Sequence, residues 1–272
     1  MIAYRLARYG AFACVCGYND VMDCQLFDMH CHVDFLAESA AFAAAAAQRG
    51  LGFFSNTVEP AGFIAARREF SDSPNVVVGA GLHPWWLHDG RCNEDDAERL
   101  CALVGKTRYV GEVGLDFGKR CASSRELQLA AFERIAATCA QQGNKLLSIH
   151  AVHSADTVLD VLERTGCLAN NQCIFHWYSD SNPALWRAIR AGCFFSVNMR
   201  MLSTKRGREY AKLIPTAQLL IETDLPPDGT DFPLDAWETD LRLALHILEE
   251  VRGEELADVL ARNSQQLLNT EL

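Results

Sequence analysis

The feature that most constrains the fold of this chain is a regular alternation of short apolar runs and longer amphipathic stretches. The apolar runs are suited to buried strands, and they span residues 26–33, 52–57, 76–82, 109–115, 145–150, 172–176, 193–197 and 219–223. Amphipathic stretches of helical period lie between and after them, at residues 38–49, 60–70, 94–105, 125–142, 154–164, 183–190, 204–213, 236–251 and 254–268. Eight βα units in about 250 residues are typical of a TIM barrel, so we predict an α/β fold of the (β/α)8 type.

The domain organisation follows from what the chain lacks. A doubly wound open sheet would show the same alternation, because strand order cannot be read from a sequence, but no G-x-G-x-x-G or P-loop motif opens a helix. No linker-like tract divides the chain, and we predict one domain over residues 26–272. Residues 1–25 fit no βα unit, so we interpret them as an N-terminal extension that is either disordered or precedes an alternative start at Met22.

Composition narrows the class of protein and its compartment. The 272 residues are 49% hydrophobic and 22% charged, which excludes a disordered or collagen-like chain. A net charge of −10 gives no overall attraction for a polyanion, although metal ions in a cleft can reverse the local field. The 11 cysteines include no C-x-x-C pair, and several lie in apolar runs, which indicates a reducing compartment. Without a signal peptide or a membrane-spanning run, we predict a cytoplasmic protein that does not bind membranes.

Histidines and carboxylates gather where the predicted strands end, and this is where a barrel carries its active groups. His30 and His32 share one face of the first strand, because side chains alternate along a strand. Glu112 interrupts an otherwise apolar strand, and a buried carboxylate requires a metal ion or an arginine as partner. The other residues of this kind are His83, His150, His176 and Asp224. Taken singly, each histidine could be a hydrogen-bonded core residue, and Asp224 could cap a helix.

The set as a whole favours a metal centre. Imidazole and carboxylate ligands suit Zn, Mn and, in part, Mg, and four histidines with two carboxylates suffice for two divalent ions per chain. Two ions about 3.5–4 Å apart can clamp the attacking and leaving oxygens of a phosphoryl transfer, and metal-bound water supplies hydroxide near neutral pH. No G-x-S-x-G elbow or cysteine nucleophile motif offers a competing mechanism. We therefore predict a barrel of the metal-dependent hydrolase type.

The ordered motifs resemble those of the TatD family of metal-dependent deoxyribonucleases, within the amidohydrolase-like barrels. The matching pieces are F-D-M-H-C-H-V-D at 27–34, G-L-H-P at 81–84, V-G-E-V-G-L-D-F at 110–117, S-I-H at 148–150, F-H-W at 175–177, L-I-E-T-D-L-P at 220–226 and R-N at 262–263. They come in the family's order and cover the chain from about residue 26 to its end. The resemblance implies divalent-metal hydrolysis of DNA phosphodiester bonds by a metal-bound hydroxide, typically 3′-to-5′ exonuclease action on single strands.

The resemblance also implies a role for each residue. His30, His32 and Asp224 would hold one metal, and Glu112 would bridge it to a second metal held by two more ligands, His150 and His176. Three residues would be catalytic: Glu112 through both metals, Asp224 as acceptor of the proton of the attacking water, and His83 as a hydrogen-bond donor to the scissile phosphate. Glu222 would orient a metal ligand or a phosphate-binding arginine.

The loops after the strands depart from the family pattern, and they put the substrate in doubt. His153 follows the fifth strand where the family more often has an arginine, and it would contact phosphate there or simply face solvent. Trp177 would stack an unpaired base or pack on the barrel rim. Arg206 and Arg208 belong to a basic stretch, together with Arg200, that would bind a nucleic-acid backbone or form a solvated helix face.

Two other functions remain open on the sequence. The same barrel could hydrolyse esters or amides, such as an aminoacyl-tRNA or a small cyclic amide. It could also be a TatD-like component of a larger assembly, active only with a partner. The resemblance implies single-stranded DNA as the expected partner, whereas protein partners and oligomeric state are not indicated.

Overall fold

Eight parallel strands form the centre of the molecule. The structure is a computed structural model, and it describes residues 24–226 and 231–268. The strands are β1 (Leu26–Cys31), β2 (Leu51–Asn56), β3 (Val76–Leu82), β4 (Tyr109–Asp116), β5 (Leu146–Val152), β6 (Gln172–His176), β7 (Phe194–Val197) and β8 (Leu219–Ile221). Each strand pairs in parallel with the next along the chain, in the order β1 to β8.

Backbone hydrogen bonds join the two ends of this sheet. The Asp224 N–H donates to the His30 carbonyl at 2.9 Å, and the His32 N–H donates to the Leu225 carbonyl at 2.7 Å. The segment that follows β8 therefore lies along β1, and the sheet curls into a nearly closed barrel. This confirms the (β/α)8 prediction over the open-sheet alternative. It also brings Asp224 beside the first two histidines.

Helices surround the barrel. They are α1 (Ser39–Ala47), α2 (Pro60–Glu69), α3 (Pro84–His88), α4 (Glu94–Val104), α5 (Arg125–Gln142), α6 (Ala155–Arg164), α7 (Asn182–Arg190), α8 (Met199–Leu202), α9 (Lys205–Leu213), α10 (Leu234–Arg252) and α11 (Ala257–Leu268). The sequence predicted all of them except the short helices α3 and α8, which begin directly after side-chain caps at His83 and Asn198. Gly50 and Gly192 have positive φ angles of 69° and 80° after α1 and α7, as helix ends favour.

The apolar core has two parts, and together they leave the carboxyl ends of the strands for polar residues. A large cluster fills the space between strands and helices, and its members are fully or nearly fully buried. A smaller cluster fills the barrel interior around Phe27, Met29, Phe54 and Leu220, and Leu267 of α11 packs against it. Because this smaller cluster fills one end of the barrel interior, the polar side chains can lie only at the other end.

The predicted N-terminal extension is described in part. Cys24 and Gln25, which we assigned to it, already pack on the barrel: Cys24 is buried, and the Gln25 N–H donates to the Gly50 carbonyl at 2.8 Å. Residues 1–23 lie outside the described residues, so the interpretation of that segment stays a prediction. None of the described helices is long and apolar enough to cross a membrane.

Candidate metal centre

Glu112 of β4 lies at the centre of five imidazoles. Its carboxylate is 2% exposed, and its two oxygens face different histidines. Oε2 lies 3.3 Å from His30 Nε2 and 3.6 Å from His32 Nε2. Oε1 lies 2.8 Å from His150 Nδ1, 2.8 Å from His176 Nε2 and 3.1 Å from His83 Nε2. One carboxylate therefore separates two groups of nitrogen donors, with one oxygen directed at each group.

The tautomers of the first two histidines follow from their partners. His32 Nδ1 lies 2.6 Å from the carbonyl oxygen of Asn56, which can only accept, so this nitrogen carries the proton. His30 Nδ1 lies 2.7 Å from the hydroxyl of Ser148. When these imidazoles are neutral and protonated on Nδ1, both Nε2 atoms hold a lone pair directed at the carboxylates. Outer partners of this kind fix ligand histidines in metal sites.

His150 and His176 also face carboxylates on their outer sides, but His176 Nδ1 has no hydrogen-bond partner among the described residues. His150 Nε2 lies 3.3 Å from Asp116 Oδ2, which leaves its Nδ1 facing Glu112. His176 Nδ1 lies 3.6 Å from Glu222 Oε1, which leaves its Nε2 facing Glu112. Glu222 is fully buried, and its carboxylate accepts hydrogen bonds from Ser196 Oγ and, at 2.8 Å, from Asn198 Nδ2. Of the two roles left open for Glu222, the structure places it beside a histidine and not beside an arginine.

Asp116 is a site residue that the sequence analysis did not single out. Its carboxylate accepts the Trp85 indole N–H at 2.6 Å and the Gly118 N–H at 2.8 Å, besides its contact with His150. Burial acts to raise the pKa of Asp116, but the hydrogen bonds from His150 and Trp85 lower it to about 2. A charged Asp116 therefore stabilises a proton on the outer nitrogen of His150. The tautomer of His150 depends on this residue.

His83 faces the centre with a proton and not with a lone pair. Its Nδ1 accepts the backbone N–H of Trp85 at 3.1 Å, as the cap of α3, so the neutral ring carries its proton on Nε2. Burial lowers the pKa of His83, which favours this neutral form. The Nε2–H group lies 3.1 Å from Glu112 Oε1. His83 is thus placed as a hydrogen-bond donor, whereas the other four histidines each direct a ring nitrogen at the Glu112 carboxylate.

The carboxylate of Glu112 and the imidazoles around it shift one another's pKa values. Burial acts to raise the pKa of Glu112, but the electrostatic interaction with the surrounding imidazoles, His83, His176 and His30, and a hydrogen bond with His150 hold it well below its ordinary value. Burial lowers the pKa of His30 to about 4, with a contribution from His176, so His30 is neutral at pH 7. The centre thus combines a stable carboxylate with a neutral imidazole. Both are in the form that binds a cation.

Asp224 occupies its position because β8 ends early. The predicted eighth strand ended at residue 223, but β8 ends at Ile221, and Asp224 has a positive φ of 60°. Its Oδ1 lies 3.5 Å from His32 Nε2 and 3.7 Å from His30 Nε2, and its side chain keeps 18% exposure. Asp28 secures this turn, since its carboxylate accepts the N–H of Thr223 at 3.0 Å and the hydroxyl of Thr223 at 2.6 Å. Asp224 is therefore the site carboxylate that reaches the solvent side.

The donor set fits divalent cations. His30 Nε2 is buried and has no hydrogen-bond partner among the described residues, although two carboxylates lie within 4 Å of it. An orphaned buried nitrogen is costly unless something occupies its lone pair. The mutually close donor groups include His30, His32 and Asp224 on one side, and His30, Glu112 and His176 on the other. Nitrogen and carboxylate donors at this spacing suit Zn²⁺ or Mn²⁺, and in part Mg²⁺.

A cavity of about 430 Å³ opens onto the centre. Its wall includes Glu112, Asp224, His83 and the rings of Trp85, Trp86 and Trp177. Arg200 of α8 is the one arginine or lysine in the described part of this wall. Its guanidinium lies 3.8 Å from Asp224 Oδ2 and 5.2 Å from the centroid of the Trp177 ring.

The predicted substrate contacts divide into two groups. Trp177 lines the cavity, as its prediction requires. His153 is exposed at a positive φ of 51° and is absent from the cavity wall, as the solvent-facing alternative expects, and its role as a phosphate contact remains a prediction. Arg206 and Arg208 of α9 are absent from this wall as well, and Arg206 lines a neighbouring groove. Their roles as backbone contacts remain predictions.

This combination of fold and site defines a class: the metal-dependent hydrolases built on a (β/α)8 barrel. Comparison with known proteins gives the family. The model of TatD related DNases matches residues 27–269, and the chain belongs to the TatD family of metal-dependent hydrolases and deoxyribonucleases.

Individual relatives agree with that assignment. The chain is 25% identical over 262 residues to an uncharacterised metal-dependent hydrolase of Escherichia coli K12, YcfH, covering 90% of this chain and 96% of the relative. It is 27% identical over 231 residues to the 3′-5′ ssDNA/RNA exonuclease TatD of Citrobacter rodentium, covering 76% and 82% of the two chains. The crystal structure of the Escherichia coli TatD homologue YJJV matches the fold with a TM-score of 0.76 at 24% identity, covering 91% and 99%.

Proposed function

We propose that this protein is a two-metal exonuclease that removes nucleotides from the 3′ end of single-stranded DNA. The observation that carries the proposal is the division of the Glu112 carboxylate between two groups of imidazoles, at the base of a cavity that also holds Asp224. In the proposed assignment His30, His32 and Asp224 would hold one ion, and His150 and His176 would hold the other. Glu112 would contribute to both sites.

The metal ions would supply Lewis acidity at this point, lowering the pKa of water and offsetting the charge of the phosphate. The protein's own groups do the rest. His83 donates its Nε2 hydrogen bond to a phosphate oxygen, because its Nδ1 is occupied by the Trp85 N–H. Asp224 accepts the proton that the attacking water loses, since it is the ligand carboxylate with solvent access. Arg200, next to Asp224, contacts a further phosphate oxygen.

The size and lining of the cavity support the choice of substrate. Ligand pockets span about 300–1,000 Å³, so the cavity of about 430 Å³ suits one nucleotide and not a duplex. Trp85 and Trp177 in its wall offer the stacking faces that hold unpaired bases without sequence preference. The curated TatD relative of Citrobacter rodentium, named as a 3′-5′ ssDNA/RNA exonuclease, supports the direction of cleavage.

The residue at the bridging position does not favour amide hydrolysis. A carboxylated lysine in this place would point to an amidohydrolase, but Glu112 occupies it, and no lysine lines the described part of the cavity. No contact in the centre favours the ester, amide or partner-dependent alternatives over phosphodiester cleavage.

The test is the degradation of a single-stranded oligonucleotide with Mg²⁺ or Mn²⁺. A 5′-labelled strand should yield a ladder that shortens by single nucleotides, whereas a 3′-labelled strand should release labelled mononucleotide at once. Glu112→Gln should abolish both signals while circular dichroism shows an intact fold. A folded, metal-loaded wild type that leaves the strand intact, or equal turnover by Glu112→Gln, would refute the proposal.

A further inference from the structure

The surface beside the metal centre carries a row of cations without acidic partners. Lys205, Arg206 and Arg208 are exposed in the first turns of α9, and no carboxylate among the described residues lies within 4 Å of their nitrogens. On the neighbouring helix α7, by contrast, Arg187 is neutralised by Asp160 and Glu163 at 2.7 Å each. In a chain of net charge −10, the row places three unneutralised cations within four residues.

Helix stability does not explain the row. The N-terminal end of a helix carries a partial positive charge, so cations in the first turn are unfavourable. The first turn of α9 contains Lys205 and Arg206 and no acidic residue. A bound anion would remove this conflict, because it would be attracted both by the side chains and by the helix end.

The arginines of the row are held in place by neutral groups. The Arg206 guanidinium donates to the Asp180 carbonyl and, at 2.6 Å, to the Tyr210 hydroxyl. Arg208 Nε donates to the Leu202 carbonyl at 2.7 Å. These contacts fix both guanidinium groups without cancelling their charge. A polyanion that binds them therefore pays less side-chain entropy than it would on mobile side chains.

One loop connects the row to the metal centre. In the loop between β6 and α7, Trp177 and Ser179 line the cavity. Two and three residues after Ser179, Ser181 and Asn182 line a groove of about 510 Å³ together with Lys205, Arg206, Glu209 and Tyr210. A chain leaving the cavity over this loop enters the groove directly.

We propose that the groove between α9 and the start of α7 binds the backbone of the single strand whose 3′ end is being cleaved. The inference rests on the proposed exonuclease function. An enzyme that holds one nucleotide in its cavity must leave the remaining strand outside, and the phosphates of that strand match the unpaired cations in charge. The groove distinguishes polymers from short substrates, because only a polymer reaches from the metal centre to α9.

The test compares the double variant Lys205→Glu/Arg206→Glu, which reverses both cations that line the groove, with a control of equal charge change, Lys106→Glu/Arg262→Glu. The control residues are exposed and lie outside both the cavity and the groove. Binding of a labelled 20-nucleotide oligo-dT and of a dT dinucleotide is followed by fluorescence anisotropy from 0.1 to 1 M salt, with a chelator present so that nothing is hydrolysed. Lys205→Gln/Arg206→Gln serves as a milder variant if the charge reversal disturbs folding.

Losing two phosphate contacts should reduce the slope of log K against log salt by about 1.4, since each contact to a single strand contributes about 0.7. With equal affinities at 1 M salt, this reduction corresponds to about 25-fold weaker binding of the 20-mer at 0.1 M salt. The dinucleotide and the control should show no change. An unchanged 20-mer slope, an equal loss in the control, or equal competition by poly-glutamate would overturn the groove proposal. If the wild type binds as expected but cleaves no phosphodiester, the exonuclease proposal fails and the groove proposal stands.

Discussion

Substitution of His83 is the change at this centre that best separates an effect on catalysis from an effect on metal binding. Because its Nδ1 accepts the Trp85 N–H at 3.1 Å, its Nε2 must donate, and a donor cannot also be a metal ligand. His83→Ala should therefore keep the full metal content but lose one hydrogen bond to the charge that develops on the phosphate. Removal of one preorganised donor of this kind lowers kcat by about 100- to 1,000-fold, or about 2.7–4 kcal/mol.

The same substitution removes the cap of α3, so its effect on stability has to be separated from its effect on turnover. Loss of a cap costs about 1 kcal/mol. His83→Asn restores a capping acceptor for the Trp85 N–H, but its shorter side chain does not reach Glu112. Both variants should thus lose turnover alike, while only His83→Ala loses the cap.

The assay measures kcat on single-stranded DNA alongside metal content by inductively coupled plasma mass spectrometry and melting temperature by calorimetry. A fall in kcat of less than about tenfold would refute the donor role. Loss of a metal ion from His83→Asn would show that His83 is a ligand and that the tautomer was assigned wrongly.

Three further substitutions test the supports of the centre. Asp28→Asn should cost about 1–3 kcal/mol in calorimetric unfolding, because either orientation of the new amide leaves a donor such as the Trp237 indole N–H without an acceptor; an unchanged melting temperature would contradict this. Gly114→Ala should prevent soluble folding, because its Cβ would lie 2.0 Å from a carbonyl oxygen of β5, whereas Gly105→Ala, which has no neighbour within 4 Å, should fold normally in the same expression test. Asp116→Asn should weaken the second metal ion about 10- to 100-fold in titration calorimetry, and equal affinity would show that Asp116 does not orient its histidine.

The sequence was sufficient to identify the barrel and the six proposed metal ligands. Eight apolar runs could be located because parallel strands covered on both faces are continuously apolar. The ligands stood out because His30, His150, His176 and Glu112 are polar residues at positions where a strand should be apolar. Such conflicts between local pattern and residue type are the places where functional sites are expected.

The sequence pattern does not reveal the residues that orient the proposed metal ligands by hydrogen bonds. Ser148 and Asn56 look like ordinary strand residues, and their roles depend on which atom faces which ring nitrogen. Asp116 is adjacent to a recognised motif, but the sequence cannot show that its carboxylate joins Trp85 to His150. Such contacts cross between strands and depend on barrel geometry.

The proposed substrate contacts were the hardest to predict, because the short elements after the strands decide which side chains face the cavity. Arg200, Arg206 and Arg208 appear in one basic stretch of sequence. The helix α8 brings Arg200 to the cavity wall, whereas the next helix, α9, carries Arg206 and Arg208 outside it. For His153 the sequence left a phosphate contact and a solvent-facing loop residue open, and its side chain is exposed outside the cavity wall.

The central claim is that Glu112 bridges two metal ions, and the most direct measurement is metal stoichiometry in wild type and Glu112→Gln. Both proteins are stripped with a chelator, reloaded with Mn²⁺, and compared by mass spectrometry and by melting temperature. Ions that bind only the folded state raise its stability, so wild type should take up two ions per chain and melt at a higher temperature. Glu112→Gln should retain at most one ion and lose most of that increase. Two ions bound with equal stabilisation in Glu112→Gln would contradict the account.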